Sequence, residues 1–199
     1  MIQGGRLTIR LPIRALVICC GPAGAGKSTF ARRHFSANQI VSSDRCRALI
    51  AGDEANQAVS GRAFDLFHRI IEHRLALGQL TVADSTAIAP RARSELRRLA
   101  RRRGRPVVLL AFDLGLAACF RNNRRRSRRV PTAVIREQRR RFREQGARFE
   151  RESYFAVYRL GTRTIGAARV QIVAPESDVA VESQKWSAGR GVEANSHRG

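Results

Sequence analysis

The sequence predicts an α/β fold in which a mostly parallel β-sheet is flanked by helices. Short apolar runs alternate with longer segments whose apolar residues recur at helical spacing. This alternation is typical of βαβ units, whose strands are parallel and whose sheet is covered on both faces. The first apolar run leads through a glycine-rich turn directly into a helical segment, which is how many phosphate-binding sites are built.

The elements follow one another along the whole chain. Apolar runs predict strands at 15–20, 39–42, 80–83, 106–112 and 170–173. Helical periodicity predicts helices at 27–35, after Asp44, and at 61–77, 90–103, 116–124 and 132–145. The longest has one apolar face that we expect in the core, formed by Phe64, Phe67, Ile71 and Leu75.

The length of 199 residues predicts one domain with short flanking segments. We expect an N-terminal segment at 1–14, the domain at 15–174, and a disordered polar tail at 175–199. The apolar run at 15–20 is too short for a signal core or a membrane span, so no membrane association is expected. The four cysteines lack metal-ligand spacing and predict reduced core thiols in a cytoplasmic protein.

The charge is strongly basic and concentrated in one part of the sequence. The formal net charge is +22, and residues 91–151 hold 21 arginines against five acidic residues. Compositional bias toward arginine explains much of such a charge, and a solvated charged face is its usual structural meaning. Arginines without acidic partners nevertheless repel one another, which favours a polyanionic partner such as nucleic acid.

The most specific motif is G-x-x-x-x-G-K-S at 21–28, placed between a strand and a helix. Its glycines let backbone amides surround a phosphate at a helix N-terminus, Lys27 reaches the β- and γ-phosphates, and Ser28 ligates Mg²⁺. The alternative is a glycine-rich turn that only resembles such a loop. The motif predicts a P-loop NTPase or kinase fold that binds ATP and Mg²⁺ through Gly21, Gly24, Ala25, Gly26, Lys27, Ser28 and Thr29.

Two acidic residues follow the next strands of the predicted sheet. Asp44 comes after the second strand, where it can accept a proton from an attacking hydroxyl, with Arg47 one helical turn away. The structural alternative is that Asp44 only caps the helix that begins there. Asp84 ends the third strand, the position of a carboxylate that acts on Mg²⁺ directly or through water.

Arginines cluster again between the last two predicted helices, within a segment at about 120–146 that we predict to be a lid. A lid there could bring guanidinium groups onto a transferring phosphoryl group. The cluster comprises Arg121, Arg124, Arg125, Arg126, Arg128 and Arg129.

These motifs together resemble the kinase domain of bacterial polynucleotide kinase-phosphatase, an RNA end-healing enzyme, and more distantly phage polynucleotide kinase. The resemblance runs from about Leu7 to Leu160. It is carried by Gly-Ala-Gly-Lys-Ser-Thr-Phe-Ala at 24–31, Ser-Ser-Asp-x-Cys-Arg at 42–47, Leu-x-Leu-Gly-x-Leu-Thr-Val at 75–82, Asp-x-Thr at 84–86 and the arginine-rich lid.

The resemblance implies transfer of the γ-phosphate of ATP to a 5′-hydroxyl end of RNA or DNA. It implies that Asp44 is the general base and that Arg47 contacts the acceptor's phosphate. It also implies that Arg121 and Arg125 clamp the ATP phosphates, with Arg128 as a weaker candidate. Asp-x-Thr is followed by Ala87 where the family often has Asn, and no phosphatase or ligase module follows, so a lone kinase domain with separate repair partners is expected.

Three functions remain open on these grounds: a polynucleotide 5′-kinase, a small-molecule P-loop phosphotransferase, and a non-catalytic P-loop ATPase that binds nucleic acid. The first needs both the Ser-Ser-Asp-x-x-Arg pattern and a basic surface. The second shares the loop and the base but needs no basic surface.

Overall fold

The computed structural model describes residues 2–3 and 6–174. Their strands are β1 (Ile2–Gln3), β2 (Arg6–Pro12), β3 (Leu16–Cys20), β4 (Ile40–Ser42), β5 (Thr81–Asp84), β6 (Val107–Phe112), β7 (Ala156–Leu160) and β8 (Arg169–Val173). Their helices are α1 (Lys27–His34), α2 (Ser43–Ala51), α3 (Ser60–Ala76), α4 (Pro90–Arg102), α5 (Leu116–Arg124) and α6 (Thr132–Gly146).

The main sheet has five strands in the order β4-β5-β3-β6-β7, and every pair in it is parallel. Its central strands β3, β5 and β6 are buried along their whole length. Two clusters of buried apolar side chains cover its two faces, as the near-continuous apolar character of these strands requires. The predicted α/β fold with a mostly parallel sheet is thereby confirmed.

Three strands, β1, β2 and β7, were not predicted from the sequence. The strand β7 lies at the edge of the main sheet and is half exposed over most of its length, so it lacks the apolar run that identified the central strands. The strand β2 pairs with β1 and β8 in a small second sheet and buries Ile9 and Leu11. Part of the predicted N-terminal segment at 1–14 therefore packs on the domain core.

Other sequence predictions concern the apolar face of α3, the cysteines, membrane spans and the C-terminal tail. The apolar face of α3 is buried at Phe67, Ile71 and Leu75, and Phe64 packs against the same cluster. All four cysteines are buried and free. No helix among the described residues is long and apolar enough to cross a membrane. The predicted disordered tail at 175–199 lies outside the described residues.

The sheet topology places the predicted motifs together. In a parallel sheet the carboxyl ends of neighbouring strands meet at one edge, where ligands bind. The glycine loop follows β3, α2 follows β4, and Asp84 is the last residue of β5. Their side chains consequently meet at the carboxyl edge of the main sheet.

Candidate functional site

The glycine loop at 21–28 joins β3 to α1 and lies beneath α5. Gly24 and Gly26 have φ angles of 76° and 85°, a backbone conformation that L side chains rarely adopt. A Cβ atom at Gly24 would lie 2.3 Å from the carbonyl oxygen of Cys119 in α5. The loop therefore requires glycine both for its conformation and for the close approach of α5.

Lys27 points back into this loop. Its Nζ donates hydrogen bonds to the carbonyl oxygens of Gly21 and Pro22, both at 2.8 Å, and the residue is only 8% exposed. Burial lowers the pKa of Lys27, and the nearby carboxylate of Asp84 partly opposes that shift. The ammonium is thus a buried, preorganised cation in the middle of a loop of backbone donors.

Asp84 completes the same cluster. It is 7% exposed, and burial raises its pKa, although a hydrogen bond with Ser28 and the charge of Lys27 act in the opposite direction. The described residues contain no group of three or more His, Cys, Asp or Glu that could hold a metal by itself. The hydroxyl of Ser28 and the carboxylate of Asp84 nevertheless suit Mg²⁺, which protein sites bind through few side chains together with phosphates.

Asp44 lies in the first turn of α2, but it is not the residue that caps this helix. The N-cap is Ser42, whose Oγ accepts a hydrogen bond from the backbone N–H of Arg45 at 3.4 Å. The structural alternative for Asp44 is therefore wrong, because the cap falls two residues earlier. The carboxylate of Asp44 is free to face the cavity that it helps to line.

Arg47 is largely buried and bound to Asp44. Its Nη1 donates to Oδ1 of Asp44 and to the carbonyl oxygen of Glu54, the latter at 3.1 Å. Its Nε is buried without a hydrogen-bond partner among the described residues. Arg47 does not line the main cavity.

Arg128 contacts the same two groups as Arg47, the carboxylate of Asp44 and the carbonyl oxygen of Glu54. Its Nη1 donates to the carbonyl oxygen of Glu54 at 2.8 Å and lies 3.7 Å from Oδ1 of Asp44. Arg128 does not line the main cavity. The structure therefore places it beside the predicted base, rather than on the ATP side suggested by the family resemblance.

The α5–α6 region is held over the glycine loop by amide side chains that the sequence analysis did not identify. Asn122 donates to the carbonyl oxygen of Gly24 at 2.8 Å, and Gln138 accepts from the backbone N–H of Ala23 at 2.8 Å. Both side chains bind backbone atoms of the loop. Such contacts join residues about a hundred positions apart, so no local pattern reveals them.

The buried side chain of Asn123 closes the connection between α5 and α6. Its Nδ2 donates to the carbonyl oxygen of Val130 at 2.8 Å, and its Oδ1 accepts from the N–H of Val130 at 3.0 Å. An asparagine amide can make both bonds because it carries a donor and an acceptor. The six residues between Asn123 and Val130 include five of the clustered arginines.

The arginines of this region point to different places. Arg121 and Arg124 belong to the last turn of α5 rather than to the connection, and neither lines the cavity. Arg125 and Arg126 do line it. Of the two arginines predicted to clamp phosphates, the structure thus brings Arg125 to the site and leaves Arg121 on an exposed surface.

A cavity of about 840 Å³ joins these parts into one cleft. The glycine loop and Asp84 form its floor, Asp44 and Glu54 lie on one side, and the α5–α6 connection contributes Arg125 and Arg126. Ile165 and Gly166, from the turn between β7 and β8, also line it, and no motif of the sequence analysis includes them. A cavity of this size accommodates a nucleotide-sized ligand.

Comparison with known families gives one match. A family model described as an AAA domain matches residues 16–145, from the first strand of the main sheet to the last turn of α6. No curated protein matches the chain.

Solved structures share the fold at low sequence identity. A chain in the Pnkp1/Rnl/Hen1 RNA repair complex is similar with a TM-score of 0.60 and 19% identity, over 70% of this chain and 47% of that chain. This chain therefore spans about half the length of that protein. A putative kinase from Chloroflexus aurantiacus is similar with a TM-score of 0.57 and 14% identity, over 90% of this chain and 99% of that chain.

Proposed function

The chain belongs to the AAA domain family, and from that premise we propose that it is an ATP-dependent polynucleotide kinase that phosphorylates 5′-hydroxyl ends. The observation that carries this proposal is a single cavity lined by both halves of a phosphoryl-transfer site. Lys27, Ser28 and Asp84 form the half suited to ATP and Mg²⁺. Asp44 lines the same cleft, as a base for an acceptor must, and it does not cap its helix.

On the donor side, the amides of the glycine loop and the ammonium of Lys27 bind the phosphates of ATP. Ser28 and Asp84 would hold Mg²⁺, which neutralises charge on the β- and γ-phosphate oxygens. The burial of Lys27 and Asp84 strengthens these interactions, because they act in a region of low effective dielectric. This half of the site requires only a nucleoside triphosphate and is compatible with several acceptors.

On the acceptor side, Asp44 takes the proton of a hydroxyl group as its oxygen bonds to the γ-phosphorus. The bond from that phosphorus to the bridging oxygen breaks, and ADP leaves. Arg47 holds Asp44 in place through Nη1. Its contact with a phosphate of the acceptor remains a prediction, because Arg47 does not line the cavity. Arg125 and Arg126, two of the five arginines that line the cavity, could stabilise the charge on the transferring group. The corresponding role of Arg121 remains a prediction, which Arg121→Ala tests.

The basic composition supports a nucleic acid as the acceptor. Residues 91–151 carry far more arginine than acid, and phosphate contacts by such residues release counterions. The Pnkp1/Rnl/Hen1 assembly is an RNA repair complex, which is consistent with work on nucleic-acid ends by a protein of this fold. Phosphatase or ligase partners, which the family resemblance implies, remain a prediction.

The decisive experiment measures phosphate transfer from ATP with Mg²⁺ to a panel of 5′-hydroxyl RNA and DNA oligonucleotides, free nucleosides and small alcohols. We expect turnover with oligonucleotides and a Michaelis constant for them that rises steeply with salt, while that for ATP changes less. Equal phosphorylation of a nucleoside and a matching oligonucleotide, without salt dependence, would instead identify a small-molecule kinase. ATP binding without any turnover would identify a non-catalytic ATPase-like protein.

A further inference from the structure

The arginine-rich segment is divided between two opposite edges of the molecule. Arg125 and Arg126 line the cleft at the carboxyl edge of the main sheet. Helix α4 begins after β5 and ends shortly before β6, so its last turn, with Arg101 and Arg102, lies at the edge where the strands begin. The charge at 91–151 is therefore not one continuous surface around the cleft.

Other arginines join α4 at this second edge. The backbone N–H of Leu16 donates to the carbonyl oxygen of Pro106 at 2.9 Å, and that of Thr81 donates to the carbonyl oxygen of Ala15 at 3.0 Å. These hydrogen bonds bring the starts of β3, β5 and β6 together. We call the group at these strand starts the amino-edge surface. It comprises Arg14, Arg74, Arg101, Arg102, Arg103 and Arg105.

Contacts place Arg14 beside Arg105 and join Arg103 and Arg105 to α3. A Cβ atom added at Gly78 would lie 3.3 Å from Nη2 of Arg105 and 3.6 Å from Cδ of Arg14. Arg105 donates through Nε to the carbonyl oxygen of Leu75 at 3.0 Å, which fixes its guanidinium at the end of α3. Arg103 reaches Glu72 on the same helix at 3.5 Å. The surface thus spans the ends of α3 and α4 and the turn before β3.

Most of this charge lacks an acidic partner. Arg14, Arg101 and Arg102 are exposed and form no ion pair among the described residues, and Glu72 is the acid that pairs with Arg103. On α6, by contrast, Arg140 and Arg141 bind Glu137, and Arg140 also binds Glu144. Unpaired guanidinium groups on one surface attract an anion with several charges.

We propose that the amino-edge surface binds the phosphate backbone of a nucleic acid at a place separate from the cleft. This proposal rests on the proposed function, because it assumes that the strand's 5′ end occupies the cleft. The five residues of β3 separate the two edges by roughly 16 Å at about 3.3 Å per residue. At about 3.4 Å per nucleotide, a strand needs roughly five nucleotides beyond the cleft to reach the second surface. Short acceptors then bind the cleft alone, and longer ones bind both surfaces.

The test compares two double variants with the same loss of charge. Arg101→Gln with Arg102→Gln removes unpaired arginines from the amino-edge surface, and Arg140→Gln with Arg141→Gln removes ion-paired arginines from α6. Binding of a 5′-hydroxyl RNA trinucleotide and of an RNA of about twenty nucleotides is measured by fluorescence anisotropy over a range of salt. Unchanged circular dichroism and melting temperature establish that both variants are folded.

We expect the Arg101 and Arg102 variant to bind the long RNA several-fold more weakly and to lower the slope of log affinity against log salt by up to about 1.4, at 0.7 per lost contact. Its binding of the trinucleotide, and the binding of both RNAs by the Arg140 and Arg141 variant, should change little. Equal effects of the two variants, or an equal effect on both RNAs, would overturn the proposal.

Two further outcomes distinguish the alternatives. If the amino-edge variant loses binding to phosphatidylserine vesicles but not to the long RNA, the surface recognises lipid and the proposal is wrong. If the wild-type protein phosphorylates no oligonucleotide, the proposed function fails. In that case the binding assay still decides whether this surface binds nucleic acid. It measures how affinity depends on RNA length and on salt, and it does not require phosphorylation.

Discussion

Although Lys27 is buried, we expect it to bind the phosphates of a ligand and to contribute little to the stability of the core. Its two hydrogen-bond partners are carbonyl oxygens of the glycine loop, not side chains of the core. We expect Lys27→Ala to abolish phosphoryl transfer and to leave the fold intact, because the lost charge acts on the β- and γ-phosphates. Turnover and circular dichroism of the variant check this. Near-normal turnover would show that the loop does not bind the transferred phosphate in the proposed manner.

Asp44 can be separated from the capping of α2 because the two functions fall on different residues. Asp44→Asn keeps the size of the side chain but removes its basicity, so the rate of transfer should fall by about 10²–10⁴-fold. It also removes the counter-charge of the largely buried Arg47, so the melting temperature should fall as well. Ser42→Ala is the matched stability control, and loss of its cap should destabilise the protein by about 1 kcal/mol. A destabilised Asp44→Asn protein with a normal rate would contradict the assignment of Asp44 as the base.

Sequence patterns predicted the parts of the site that are local and missed those that depend on the fold. The glycine loop, Asp44 and Asp84 come at the ends of apolar strands, so the strand-to-helix pattern alone predicts that they lie at one edge of the sheet. Ser42 as the cap, the burial of Arg47 and the contact of Arg128 with Asp44 depend on helix starts and chain crossings that a single sequence does not specify.

At the scale of elements, the position of the arginine-bearing connection depends on Asn123. The side chain forms two hydrogen bonds to Val130 and thereby fixes both ends of the segment that presents Arg125 to the cleft. We expect Asn123→Ala to lower kcat because Arg125 is then less well positioned. The double variant with Arg125→Ala should be no slower than Arg125→Ala alone, since residues that act through one another are not additive.

The double-mutant cycle separates positioning from general destabilisation. A variant that merely unfolds more easily would lower the rate of wild type and of Arg125→Ala by the same factor. Asn123→Asp is a useful intermediate, because it keeps the acceptor for the N–H of Val130 and loses the donor to its carbonyl oxygen. Additive losses in Asn123→Ala and Arg125→Ala would show that Asn123 does not act through Arg125.

At the scale of the whole molecule, a buried ion pair joins the segment before the edge strand β7 to the turn that supports the glycine loop. Arg93 in α4 is fully buried and binds Glu152, which precedes β7, with its Nε 2.9 Å from Oε2. Arg93 also donates to the carbonyl oxygen of Ala87 at 3.0 Å, and the neighbouring Thr86 accepts from the N–H of Gly21 in the glycine loop at 2.9 Å. The pair therefore supports the turn against which that loop is held.

This ion pair should make stability depend on acid pH. Burial by itself raises the pKa of Glu152, but the hydrogen bonds from Arg93 and Tyr154 outweigh it and leave that pKa below its ordinary value. The contribution to stability is then full above the ordinary glutamate pKa of about 4.3 and is lost as the pH falls through the lower pKa of the folded state. We expect Glu152→Gln to reduce the free energy of unfolding by about 3 kcal/mol at neutral pH, because it leaves the guanidinium of Arg93 buried without a counter-charge. The same variant should flatten the decline of stability below about pH 4.3.

Urea unfolding across this pH range measures both effects. The control is Glu95→Gln, which breaks a surface ion pair with Arg91 and should cost less than about 1 kcal/mol. Equal and small losses in the two variants would mean that the Arg93 and Glu152 pair does not support the fold.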